Sequence, residues 1–132
     1  MTTISAETTI LLLEDVKTFR KLMIKDLRKM GIIGKIYEAT DLSEAFSLCA
    51  SKSFDFIISD WKLPDGTGYD FLINVKNNEK LSNLPFVMFT TIDDVEHMLK
   101  AIEAGANEFI VKPWLYDDLV KKLNYSWQKQ IG

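Results

Sequence analysis

The chain has 132 residues, 47% of them apolar, which suits one domain built on one core. Sixteen basic against nineteen acidic residues leave a formal charge of −3 and no basic stripe, so nucleic acid is not an expected partner. No apolar run approaches the ~20 residues of a membrane span, and Met1 to Thr9 lacks the basic start and apolar stretch of a leader, so the expectation is a soluble cytoplasmic protein.

In chain order, the first apolar run is Ile10 to Leu13, which leads into Glu14 and Asp15. Val16, Phe19, Met23, Leu27 and Met30 then recur at helical spacing until Gly31, and a short strand is expected near Lys35 to Glu38. Asp41 with Glu44 three residues on reads as a capping box for a second helix, whose stripe is Leu42, Ala45, Phe46 and Cys49. Cys49 is the only cysteine, so neither an internal disulfide nor a thiolate zinc cluster can form, and it reads as a core filler. Phe56 to Ile58 leads into Asp60, and Tyr69, Leu72 and Ile73 mark a third helix ending around Asn77 and Asn78. Pro85 opens a run from Phe86 to Phe89 that ends in Thr90. Asp93 and Glu96 repeat the cap pattern for a fourth helix carrying Val95, Met98, Leu99 and Ile102, with His97, the only histidine, on its wet side. Gly105 suits that helix's C-terminal turn. The last run, Phe109 to Val111, leads into Lys112, and Leu115, Leu119, Leu123 and Trp127 line a final helix running nearly to Gly132.

The sum is an α/β (βα)5 chain, which predicts a doubly wound, five-stranded parallel sheet between two layers of helices with right-handed crossovers. Continuous apolar runs are what parallel strands buried on both faces require. Ligands of such sheets gather outside the strands' carboxyl ends, so Glu14, Asp15, Asp60, Thr90 and Lys112 are expected on one rim. Residues 1–132 are expected to form a single domain with no appended effector domain, so any output goes through a separate partner.

Three carboxylates on one rim raise one another's pKa unless a cation intervenes, and a metal is therefore expected. Oxygen ligands without histidine or cysteine select a hard ion, and an incomplete protein cage suits Mg²⁺ better than Ca²⁺. With Mg²⁺, Lys112 as a second positive charge and Thr90 as a neutral donor, the rim describes a receptacle for a dianionic phosphoryl group with a carboxylate placed to attack it.

Glu14-Asp15, the stretch Ser59-Asp60-Trp61-Lys62-Leu63-Pro64-Asp65-Gly66-Thr67-Gly68, Thr90 and Lys112-Pro113 resemble the receiver domains of two-component response regulators, specifically the single-domain chemotaxis type. The resemblance covers essentially the whole chain, and the spacings of thirty residues from Asp60 to Thr90 and twenty-two from Thr90 to Lys112 agree with it. It implies the flavodoxin-like strand order 2-1-3-4-5. It implies that Asp60 is the phosphoacceptor, taking its phosphoryl group from a histidine kinase or a histidine phosphotransfer protein, and that Asp15 ligates Mg²⁺ directly. Glu14 would act through a metal-bound water and Lys62 through its backbone carbonyl, while Thr90 and Lys112 would meet phosphoryl oxygens. The family's fold also implies a cis Lys112-Pro113 bond.

Pro64-Asp65-Gly66 is a turn by composition, suited to holding the loop over the metal. In the family, phosphorylation draws the Thr90 position inward and lets an aromatic ring on the last strand turn in; Phe109 stands there in place of the common tyrosine. The output face implied by the family includes Met98, Ala106, Lys122 and Tyr125, offered by a monomer to a downstream target such as the flagellar motor switch. Trp61, beside Asp60, is expected to report metal or phosphoryl binding by its fluorescence. Lys62, Thr91 and Ile92 depart from the commonest receiver pattern; Lys62 could pair with the acidic pocket, and crowding by these side chains implies slow self-dephosphorylation.

Other readings differ in testable ways. A phosphotransfer intermediate or phosphate sink would share the site but have no effector target. An aspartate-nucleophile phosphatase needs a carboxylate where Lys62 stands, and a flavodoxin-like electron carrier needs a Ser/Thr-rich phosphate loop after the first strand. The residues favour a signalling receiver that catalyses only its own phosphorylation and dephosphorylation.

Overall fold

A computed structural model describes residues 3–131; Met1, Thr2 and Gly132, which the single-domain expectation included, lie outside the described residues. The elements alternate as β1 Ile10–Leu13, α1 Lys17–Lys29, β2 Ile36–Ala39, α2 Leu42–Ser51 and β3 Phe56–Ser59. They continue as β4 Lys62–Leu63, β5 Gly66–Thr67, α3 Gly68–Lys76, β6 Phe86–Thr90, α4 Val95–Glu103, β7 Glu108–Val111 and α5 Tyr116–Gln130. The main sheet is parallel in the order β2-β1-β3-β6-β7, which is 2-1-3-4-5 once the small β4–β5 hairpin is set aside.

The apolar runs are continuous because alternate residues serve opposite layers. Leu11, Leu13, Ile57 and Met88 pack with Ala45, Phe71, Leu72 and Ala101 of α2, α3 and α4. Ile10, Leu12, Ile58 and Phe89 pack with Met23, Leu27, Leu119 and Leu123 of α1 and α5. Fully burying one such side chain stabilises the fold by roughly 1.5–3 kcal/mol, and a polar substitution on either face of β1 or β3 would cost about that much.

Several local readings change. The α4 N-cap is Asp94, whose carboxylate accepts from the His97 amide at 2.8 Å, rather than Asp93. Val95, Leu99 and Ile102 point outward, 66%, 54% and 42% exposed, while Ala101 is buried, so the helix turns the other side of its apolar surface to the sheet. His97 is correspondingly half-buried, with Nδ1 2.7 Å from Asp94 Oδ1 and its ring edge-on to Trp61 at 4.8 Å. Leu115 is the N-cap of α5 and lies 72% exposed, outside the buried stripe. In α2, Asp41 accepts from the Glu44 amide, but Glu44 reaches back to the amide and hydroxyl of Thr40. Cys49 is half-buried, and burial pushes its thiol up to about 11, so it stays protonated at neutral pH.

Candidate functional site

Glu14 and Asp15 leave the carboxyl end of β1, Asp60 that of β3 and Lys112 that of β7, while Thr90 is the last residue of β6. Because β1, β3, β6 and β7 are successive parallel neighbours, one edge of the sheet carries all five. One carboxylate oxygen from each of Glu14, Asp15 and Asp60 lies within 4.8 Å of the others. Glu14 and Asp60 are buried and Asp15 is exposed, so the cluster is closed below and open to solvent above.

The cation inside this cluster is Lys112. Its ammonium donates to Glu14 Oε1 and, at 2.9 Å, to Asp60 Oδ2. Its side chain is 2% exposed, and Nζ sits between the rings of Phe19, 4.5 Å away, and Phe89, 4.8 Å away. Flanking aromatic faces favour a cation that has lost its water. Among the described residues Lys62 makes no ion pair; its side chain is exposed, and the pairing with the pocket expected of it belongs to Lys112. One ammonium against three carboxylates still leaves the rim negative. Glu14 shows the consequence: burial above all, with the Asp60 charge adding, pushes its carboxyl up to about 7 against the opposing hydrogen bonds from Lys112 and the Val16 amide.

Asp60 is 5% exposed and held on several sides. The Trp61 amide donates to Oδ1 at 2.6 Å, and the Ser59 hydroxyl donates to its carbonyl at 2.9 Å. The α3 start runs directly beneath that carbonyl: a Cβ on Gly68 would lie 1.8 Å from it, so only glycine fits. The Trp61 ring is buried, stacked on Tyr69 at 5.3 Å and met by His97 from α4.

Thr90 is fully buried, its hydroxyl accepting from the Ile92 amide at 3.3 Å. Phe109 is 3% exposed; its ring already lies in the core, where the family resemblance has it turning only after Thr90 moves. The Lys112-Pro113 bond is cis. Of the output-face candidates, Ala106 is 4% exposed and offers little surface, and Met98 packs against the core. Lys122 donates to the Phe109 carbonyl at 3.1 Å, and Tyr125 is 47% exposed. Met98, Phe109, Leu115 and Lys122 line a shallow cavity of about 260 Å³. Phe19 and Phe89 are site neighbours whose spacing in the sequence reads only as core, and Gly68 stands in the sequence only as the end of the receiver-like stretch; their contacts across the fold reveal what they do.

This fold and rim define a receiver: a model of the response regulator receiver domain matches residues 10–124, and the chain belongs to that family. It is 32% identical to the chemotaxis protein CheY of Pseudomonas aeruginosa over 123 residues, covering 93% of this chain and 98% of that one. To the chemotaxis protein CheY-3 of Vibrio cholerae it is 33% identical over 120 residues, 91% of this chain and 92% of that one. Among solved structures, the chemotaxis response regulator CheY4 of Vibrio cholerae superposes with a TM-score of 0.80 at 28% identity, over 90% of this chain and 98% of that one. A two-component response regulator from Clostridium difficile shares the fold with a TM-score of 0.82 at 23% identity, over 95% of this chain and 99% of that one. Among the described residues no helix is long and apolar enough to cross a membrane.

Proposed function

We propose that this chain is a phosphorylation-dependent switch: Asp60 takes a phosphoryl group from the phosphohistidine of a kinase or histidine phosphotransfer protein, and the altered surface binds a target protein. The observation that carries the reading is the convergence of Glu14, Asp15 and Asp60 within 4.8 Å, with the Lys112 ammonium 2.9 Å from Asp60. In the transfer, an Asp60 carboxylate oxygen bonds to phosphorus while the P–N bond breaks and its electron pair returns to the imidazole. Position and charge supply most of the catalysis in such a reaction.

The all-oxygen donor set fits a hard cation such as Mg²⁺, and Glu14, Asp15, Asp60 and the Lys62 carbonyl would hold it. When bound, that ion offsets the charge of the phosphoryl oxygens. Glu14 then no longer needs Lys112 as its counter-charge, which leaves the ammonium to face a phosphoryl oxygen, and the Thr90 hydroxyl donates to another. The chain modifies itself rather than turning over a substrate, so its role is signalling. Similarity to proteins named for chemotaxis supports that pathway, with a flagellar motor component as the target and Met98, Lys122 and Tyr125 as contact candidates.

Incubation with Mg²⁺ and acetyl phosphate while tryptophan emission is followed, then pull-down in both states, tests the reading. A partner captured only by the phosphorylated form supports the switch. Rapid loss of the phosphoryl group to a histidine phosphotransfer protein, with no state-dependent partner, overturns it in favour of a phosphate sink.

A further inference from the structure

The β4–β5 hairpin carries the Lys62 carbonyl, yet each of its strands has only two residues, paired Lys62 to Thr67 and Leu63 to Gly66. A ribbon that short does not hold its own position in water. Its near end is fixed beside Asp60, where the Gly68 amide donates to the Trp61 carbonyl at 2.7 Å. Its far end, the Pro64-Asp65 turn, is tied to a different element: Asp65 Oδ1 accepts from the Leu42 amide at 2.8 Å and Oδ2 from the Ser43 amide at 3.1 Å, the first two residues of α2. Gly66, at φ +154°, packs its backbone so closely on Leu42 that a Cβ there would lie 2.5 Å from Leu42 Cδ1. α2 already has its own N-cap in Asp41, which accepts from the Glu44 amide. The Asp65 carboxylate therefore does more than cap a helix: it ties down the far end of a loop whose own strand pairing is too short to hold it.

We propose that Asp65 is a positioning residue for the cation, acting through the hairpin to fix the Lys62 carbonyl at the rim. The inference rests on the Mg²⁺ reading above and deepens it. Groups that orient a metal's ligands from behind typically change affinity by 10–100-fold when removed, so Asp65→Ala is expected to weaken Mg²⁺ binding by about tenfold. Asp65→Asn, which keeps one oxygen acceptor but loses the second, falls between it and the wild type.

The control is Asp41→Ala, which removes the other side-chain cap of the same helix end and leaves the hairpin anchored. Mg²⁺ alone is titrated into each full-length protein, with tryptophan emission and calorimetry read on the same samples, and thermal unfolding records what each substitution does to stability. Weakened binding in Asp65→Ala, partial recovery in Asp65→Asn and wild-type affinity in Asp41→Ala support the proposal. Equal loss in Asp65→Ala and Asp41→Ala assigns the effect to α2 stability and overturns it, as does unchanged affinity in both. If the wild type itself takes up no Mg²⁺, the cation reading fails along with the inference built on it. Should Asp65→Ala not fold, the comparison of Asp65→Asn with Asp41→Ala decides.

Discussion

Glu14→Gln in metal-free protein isolates the electrostatic strain of the acidic rim. The Glu14 side chain is fully buried beside Asp60, and its carboxyl is pushed from 4.5 up to about 7. An acid whose folded pKa exceeds its unfolded one favours the native state fully below about pH 4.5, and that contribution is lost as pH rises through about 7. At about 1.4 kcal/mol for each tenfold in proton affinity, the loss by pH 8 is about 3 kcal/mol. Glutamine imitates the protonated acid and cannot titrate. Whatever fixed offset the substitution introduces at Lys112, the stability difference between variant and wild type should therefore shift by roughly 2–3 kcal/mol in the variant's favour between about pH 5 and about pH 8, the remainder of the loss lying below about pH 5. Urea unfolding in EDTA, followed by tryptophan emission across that range, measures it, and saturating Mg²⁺ should flatten the wild-type slope. Parallel curves for the two proteins in EDTA would refute the claim that burial strains Glu14.

Gly68→Ala forces a methyl group against the Asp60 carbonyl and should cost about 3 kcal/mol, read from the urea midpoint; a loss under about 1 kcal/mol would mean the α3 start shifts freely. Asp94 holds the α4 N-terminus, and the His97 amide keeps its carboxyl below the ordinary range; its contribution is present above the unfolded pKa and fades as pH falls through the lower folded one. Asp94→Ala should thus be less stable than wild type at neutral pH, the gap closing in acid, and a gap independent of pH would contradict this cap. Ile92 is half-buried beside Thr90 and Lys62 stands two residues after Asp60, so phosphoprotein should decay slowly, with Ile92→Ala and Lys62→Asn speeding it. Decay within seconds in the wild type, unchanged by either substitution, would remove crowding as the cause.

The strands and their terminal polar residues were legible because a parallel strand covered on both faces must be apolar throughout, and because the sheet's direction alone then gathers Glu14, Asp60, Thr90 and Lys112 at one edge. The pairing inside that edge was not. Lys112 and Glu14 are 98 positions apart, and nothing local says that Lys112 rather than the nearer Lys62 enters the pocket. The Phe19 and Phe89 faces around the ammonium are invisible for the same reason. α4 has one wide apolar arc with Ala101 and Met98 at one edge and Leu99 and Val95 at the other, so period alone does not say which part of it meets the sheet: Ala101 is buried, while Val95, Leu99 and Ile102 point out. The β4–β5 hairpin is so short that its residues spell only a turn, and its anchor on Leu42 and Ser43 depends on a contact 22 to 23 residues distant.

Whether the rim captures phosphate at Asp60 is tested most directly by intact-mass analysis after incubation with acetyl phosphate, with Mg²⁺ or with EDTA, on wild type and Asp60→Asn. A single added phosphoryl group that requires Mg²⁺, maps to Asp60 and is absent from the variant is the predicted result. Modification that ignores Mg²⁺, or persists in Asp60→Asn, would contradict the account.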